Sequence, residues 1–268
     1  MNKDQEKNEN EDSGFNLETG PVSPETNVAL SRSVSTNAAH ANESSYAGHS
    51  TAIVNDDRLE FNHVPRRSML SRHGDQIRKL RTEILMRHGY HNAASLAFSI
   101  VSPSAGDGRS LLAAELAVSL SQLGRATLLI DADMRKNIGH SRFFDKHMQV
   151  GLAQALESGT TPDFIQVKGN SYLSVLDAGD VPTFNPTELL SSEQFYSFVN
   201  AMQNLFRFVI VDTPPFTTSS DASIVSTTVG RALTVHRAPH NTYADTRAML
   251  DGLSRSGTAV IGGVLNRF

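Results

Sequence analysis

Two aspartate-bearing segments and one glycine loop carry the chemistry this sequence could perform. The stretch SPSAGDGRSLLAAELAVSL lies between an apolar run, SLAFSIVS (95 to 102), and a helical pattern from Ser110 to Leu123. Gly106 and Gly108 allow main-chain N–H groups to turn inward around an anion, and the helix that follows adds unpaired N–H groups and the positive end of its dipole. Within that loop Ser104, Ala105, Gly106, Asp107, Gly108, Arg109, Ser110 and Leu111 are the candidate phosphate-binding residues, with the Ser110 hydroxyl placed to ligate Mg²⁺. The usual spacing G-x-x-x-x-G-K-[ST] has Pro103 at its first glycine and Arg109 at its lysine, so a plain strand-to-helix turn is the competing reading of this segment alone. LLIDADMR puts Asp131 and Asp133 two residues apart at a strand end, where both project to one side. FVIVDTPP ends another apolar run with Asp212, in the manner of an aspartate that orders Mg²⁺ and its water shell. Each aspartate by itself reads equally as turn chemistry. The three features together, each at the carboxyl end of an apolar strand, point to an ATP and Mg²⁺ site.

Such residues need a scaffold that brings strand ends together. SYLSVLDAG (171 to 179), RFVIVDTPP (207 to 215), RALTVHRA (231 to 238) and TAVIGGVLN (258 to 266) read as further strands. Helical patterns over Leu152 to Leu156, Thr187 to Phe206, Ala222 to Val229 and Tyr243 to Ser256 separate most of them. Alternation of this kind predicts an α/β domain of three layers, a mainly parallel sheet with helices on both faces, whose ligands bind beyond the carboxyl ends of the strands. Residues 1 to 66 are rich in Asn, Ser, Glu, Thr and Ala without sustained periodicity, and are expected to form a disordered polar tail ahead of an ATP-binding domain over 67 to 268. From Gly74 onward Ile77, Leu80, Ile84 and Leu85 recur at helical spacing.

Composition excludes other classes of function. The chain has 268 residues, a net charge of -4 and a pI near 6.2, which gives no reason to expect nucleic-acid binding. Zero cysteines exclude thiolate catalysis and cysteine-ligated zinc. His88, His91, His236 and His240 lie in no carboxylate-supported ligand spacing, so no zinc is expected. No apolar run reaches the ~18 residues of a spanning helix and the start is polar and acidic, so a cytoplasmic location is expected.

At these residues the sequence resembles the bacterial tyrosine kinases of capsule and exopolysaccharide export, within the P-loop group that includes the chromosome-partitioning and division-site ATPases. The resemblance covers residues 73 to 268. SPSAGDGRS follows the family's S-P-x-x-G-x-G-K-S except at the lysine, IDADMR resembles its Walker A′ motif and VIVDTPP its Walker B motif. NPTELLSSEQF (185 to 195) is similar to a stretch typical of the kinase branch, and the early lysine of the partitioning ATPases is absent. DQIRKLRTEI resembles an E-x-x-R-x-x-R self-association motif, with Asp75 in place of glutamate and Arg78 and Arg81 as the arginines.

The resemblance implies transfer of the ATP γ-phosphate to tyrosine. Arg109 and the loop amides would hold phosphates, Ser110 and Asp133 would serve Mg²⁺ directly or through water, Asp131 would act as base and Asp212 would order the metal shell. The roles of Asp131 and Asp133 are interchangeable at this point. Asn266 matches an adenine-recognising position, with a structural asparagine turn as the other reading. Assembly into a ring through Asp75, Arg78 and Arg81 is implied, against a simple solvated charged face. A transmembrane polysaccharide co-polymerase, acting through its cytosolic tail, is implied as partner and would bring the protein to the inner membrane. Arg109, and only 5 tyrosines with no cluster before Phe268, depart from the family pattern. They admit a second reading, an ATP-binding scaffold with little or no catalysis. A positioning ATPase is the third. Tyr46 and Tyr243 are the candidate phosphate acceptors.

Overall fold

The computed structural model describes residues 53–54, 72–88, 94–135, 149–160, 162–167, 169–180 and 182–267. Their strands are β1 (Ile53–Val54), β2 (Leu96–Val101), β3 (Thr127–Asp131), β4 (Phe164–Val167), β5 (Asn170–Leu176), β6 (Phe208–Asp212), β7 (Arg231–Arg237) and β8 (Ala259–Asn266). They form one sheet in the order β1-β4-β5-β3-β6-β2-β7-β8, and every neighbouring pair is parallel except β4 with β5. The helices are α1 (Arg72–His88), α2 (Arg109–Ser121), α3 (Leu152–Ser158), α4 (Pro186–Leu190), α5 (Glu193–Leu205), α6 (Asp221–Val229) and α7 (Tyr243–Arg255).

Strands β2, β3 and β6 are buried throughout and mostly apolar because both of their faces are covered. Successive side chains divide between two cores. Phe98, Ile100, Leu129 and Ile210 face α1 and α2, where they meet Ile77, Ile84, Leu112, Leu116 and Leu120. Ala97, Leu128, Ile130, Val209 and Val211 face the opposite layer, with Leu152, Leu190, Phe195, Phe198 and Val225. This is the three-layer arrangement that the strand–helix alternation predicts. Because β3, β6 and β2 are consecutive in the sheet, the three segments that follow them emerge side by side.

Local departures from the sequence reading have physical causes. The pattern over Thr187 to Phe206 is two helices, because Ser191 ends α4 and the Ser192 hydroxyl accepts from Phe195 N at 3.3 Å to start α5. β4 has only four residues, too few to show a period of their own, although Pro162 and Asp163 precede it and Gly169 at a φ of 77° turns the chain back into β5. Ile53–Val54, inside the stretch expected to be tail, add to the sheet beside β4; the rest of 1 to 66 lies outside the described residues. Among the described residues no helix is long and apolar enough to cross a membrane.

Candidate nucleotide site

The loop from Ser102 to Gly108 leaves β2 and enters α2 through two glycines at positive φ, Gly106 at 81° and Gly108 at 94°. An L side chain at either position would be strained, which is the backbone reason for the glycine spacing. Gly108 stands at the N-cap of α2 without a side-chain cap, so the helix start is left to main-chain groups. Ser110 and Leu111 follow in the first turn, both half-buried.

Asp107 is buried at 1% exposure and holds the loop in shape. Its carboxylate accepts from Ser104 N at 2.8 Å, from Asn241 Nδ2 at 3.0 and 3.1 Å, and meets His240 Nδ1 at 3.0 Å. Burial pushes its pKa up, but the hydrogen bonds from His240, Ser104 and Asn241 outweigh that and hold it below the ordinary carboxylate value. Arg237, at the end of β7, donates to Gly106 O at 3.2 Å. The segment after β6 is fastened to the same loop, since Phe216 N donates to Ser102 O at 3.0 Å and Thr217 N and Oγ1 both donate to Pro103 O.

Arg109 lies within the loop rather than above it. Its side chain is 4% exposed. Nε donates to Thr213 O at 2.9 Å and lies 4.0 Å from Asp212 Oδ1, while Nη1 donates to Ser104 O at 3.0 Å and to Ser102 Oγ. The guanidinium therefore already serves acceptors from the loop and from the end of β6. A phosphate bound there would compete with those carbonyls for the same N–H groups.

Asp131 and Asp212 are register partners on β3 and β6, so two carboxylates end adjacent strands at the same level. Asp131 is 2% exposed and accepts from Asp133 N at 2.9 Å. Burial, then the neighbouring charge of Asp212, hold its pKa well above the ordinary carboxylate value, with Asp177 and Asp133 adding to the effect. Asp133 is buried on the next turn.

Several residues at the site escaped sequence reasoning. Asp177 directly follows the neighbouring strand β5, buried, and its signal was present as the same strand-end aspartate pattern in VLDAG. Arg135, four residues past Asp131, donates through Nε to Asp221 Oδ2 at 2.6 Å and through Nη2 to Thr187 Oγ1 at 2.8 Å. Thr187 Oγ1 in turn donates to Asp221 Oδ1 at 2.6 Å. Burial would raise the Asp221 pKa, but the Arg135 and Thr187 hydrogen bonds and the Arg135 charge bring it below the ordinary value. No sequence spacing links 135, 187 and 221.

Asn266 closes β8 and its Nδ2 donates to Asp107 O at 2.7 Å, which brings it to the loop. Beside it a cavity of about 480 Å³ lies between α1, α2 and β8, lined among others by Ile77, Leu80, Gly108, Leu111, Val264 and Asn266. On α1, Asp75 pairs with Arg78 at 2.5 Å and Arg81 Nη1 donates to Ser119 O at 2.6 Å, so these side chains have partners within the chain. Tyr243 opens α7 at 77% exposure, whereas Tyr46 and His91 lie outside the described residues.

No protein-family model matches the chain. CapB of Staphylococcus aureus, by name a tyrosine-protein kinase, is 34% identical over 194 residues, which cover 72% of this chain and 83% of CapB. Among solved structures, the chimeric protein CapA2B2 superposes with a TM-score of 0.67 at 31% identity over 74% of this chain and 86% of that one. The kinase domain of the Escherichia coli tyrosine kinase ETK gives 0.65 at 27% identity over 72% of this chain and 74% of that domain. At 34% identity over more than two thirds of CapB, the chain belongs to the family of bacterial tyrosine-protein kinases.

Proposed function

We propose that this chain is an ATP- and Mg²⁺-dependent protein tyrosine kinase that regulates export or polymerisation of an exopolysaccharide. The observation that carries the reading is the register pairing of Asp131 with Asp212 beside a glycine loop that opens α2, in a member of the tyrosine-kinase family.

The residues suit both groups. Two glycines at positive φ and an uncapped helix start fit a chain of phosphates. Among the described residues no three His, Cys, Asp or Glu side chains converge as a metal cage. Mg²⁺ keeps several waters and is held by one or two protein oxygens together with phosphates. Ser110, Asp133 and Asp212 would supply the protein oxygens, directly or through water. Bound there, Mg²⁺ would neutralise charge that develops on the phosphates.

In the transfer itself a tyrosine Oη attacks the γ-phosphorus, the bond to the β,γ-bridging oxygen breaks, ADP leaves and the phenolic proton passes to a base. Asp131 suits that task, because a carboxylate with a raised pKa is the stronger base once ionised. The loop amides, with Arg109 once it exchanges its present acceptors, would hold the phosphates. Asn266, on the rim of the cavity by Gly108, would meet the adenine. We further propose self-association through α1 with Asp75, Arg78 and Arg81, and activation by the cytosolic tail of a transmembrane polysaccharide co-polymerase, which would place the protein at the inner face of the membrane.

A second reading, an ATP-gated scaffold without transfer, draws on Arg109. Its planar fork is committed to Thr213 O, Ser102 and Ser104, a geometry that a compact lysine ammonium would not share. Incubation of the full chain with Mg-ATP, with and without a co-polymerase tail, followed by phosphotyrosine mass spectrometry, separates the two. Phosphotyrosine that disappears in Asp131→Asn is the expected result. Tight ATP binding without transfer under both conditions would replace the kinase reading with the scaffold.

A further inference from the structure

We infer that Arg135, Asp221 and Thr187 form a positioning device that fixes the turn carrying Asp131 and Asp133, and that this is the task of the NPTELL stretch. The inference deepens the proposed function, on which it rests for the role of Asp133.

The turn after β3 is held at successive points. Asp131 is in register with Asp212, Ala132 N donates to Asp212 O at 2.9 Å, and Asp133 N donates to Asp131 Oδ1 at 2.9 Å. Met134 is buried at 2% exposure in the core below. The Arg135 guanidinium binds both oxygens of Asp221, at 2.6 and 3.3 Å, and Thr187 Oγ1. Asp221 is 1% exposed at the first residue of α6, so its charge has little water and depends on its protein partners, Arg135 and Thr187 foremost and Ser219 in addition.

The sequence of α4 explains why Thr187 reaches that point. Asn185 caps the helix by accepting from Thr187 N at 3.0 Å, and Pro186 occupies the first position, where a missing N–H costs nothing. Leu189 and Leu190 drive the other side of the short helix into the core shared with Phe195 and Val225. With both ends fixed, the Thr187 hydroxyl is a rigid two-way contact that accepts from Arg135 and donates to Asp221. Two separate segments, the starts of α4 and α6, thus converge on Arg135, two residues beyond Asp133. Arg135 touches neither nucleotide nor reacting atoms in the proposed chemistry; it acts through the turn.

The test uses the full chain, nucleotide-free hydrogen exchange at residues 131 to 135, and the Mg²⁺ concentration needed for half-maximal ATP affinity. Thr187→Val and Asp221→Asn should speed exchange in the turn while leaving the β3 interior protected. Both should raise the Mg²⁺ requirement by about tenfold, as loss of a residue that orients a metal ligand does. Thr187→Ser should restore both readouts. Unchanged exchange and an unchanged Mg²⁺ requirement in Thr187→Val would overturn the inference. That variant, which loses one hydroxyl, decides the matter if Asp221→Asn fails to fold. A wild-type protein that binds no Mg-ATP would sink the proposed function, and exchange in Thr187→Val would still decide whether the turn is held this way.

Discussion

Asp131 and Asp221 are both almost fully buried, yet their ionisation runs in opposite directions. Asp131 is surrounded by carboxylates, and Asp221 by a guanidinium and a hydroxyl. Because the folded pKa of Asp131 lies above its unfolded value, stability is lost as pH rises from about 4 through the raised value. Asp131→Asn, which keeps an oxygen for Asp133 N, is therefore expected to melt higher than wild type at pH 7 without Mg²⁺, to match it near pH 3, and to transfer no phosphate. Calorimetry at both pH values checks this; a variant that melts lower at pH 7 would contradict it. The Asp221 pKa is depressed, so its contribution is present above about pH 4 and disappears as pH falls through the depressed value. Asp221→Asn should cost about 2 kcal/mol at pH 7, trimmed by the partial exposure of Arg135, with the gap to wild type closing in acid. Urea titrations across pH would reveal the trend.

At the scale of elements, the site depends on how closely two turns approach. A Cβ added at Gly151, at the start of α3, would lie 2.3 Å from Asp177 O and 2.4 Å from Gly179 N, main-chain atoms that cannot move without displacing the end of β5. Gly151→Ala is expected to lower stability by about 1–3 kcal/mol through overpacking. Gly159 has a φ of 67° with open space around it, so Gly159→Ala should cost only the left-handed backbone penalty of about 1–2 kcal/mol. The measurement that distinguishes them is hydrogen exchange at 177 to 179, which should rise in Gly151→Ala alone. The glycine loop itself was legible in the sequence because positive φ restricts residue type. The partners of Asp107 were not, since His240 and Asn241 reach it from a loop more than a hundred residues away.

At the scale of the whole molecule, α1 is docked on α2, the helix that begins at the glycine loop. His73 Nε2 lies 2.9 and 2.8 Å from the two oxygens of buried Glu115, and Arg81 caps Ser119 O. The Asp75–Arg78 pair is exposed, and such pairs contribute about 0–1 kcal/mol. Arg78→Ala is therefore expected to leave the melting temperature nearly unchanged, so that a loss of higher oligomers in mass photometry would be attributable to an interface; unchanged oligomers would remove Arg78 from the proposed assembly. Arg81→Ala should lower both stability and assembly. The sequence by itself determined the layered sheet, the loop and the aspartates Asp131, Asp133 and Asp212, because strand period, glycine backbone freedom and strand-end position are local properties of the chain. Tertiary structure alone decided that Arg109 turns into the loop toward Thr213, that Asp177 joins the carboxylates, and that Thr187, Arg135 and Asp221 meet. Those outcomes depend on which strands are neighbours and which side chains share a buried volume, and such distances are settled only when the layers pack.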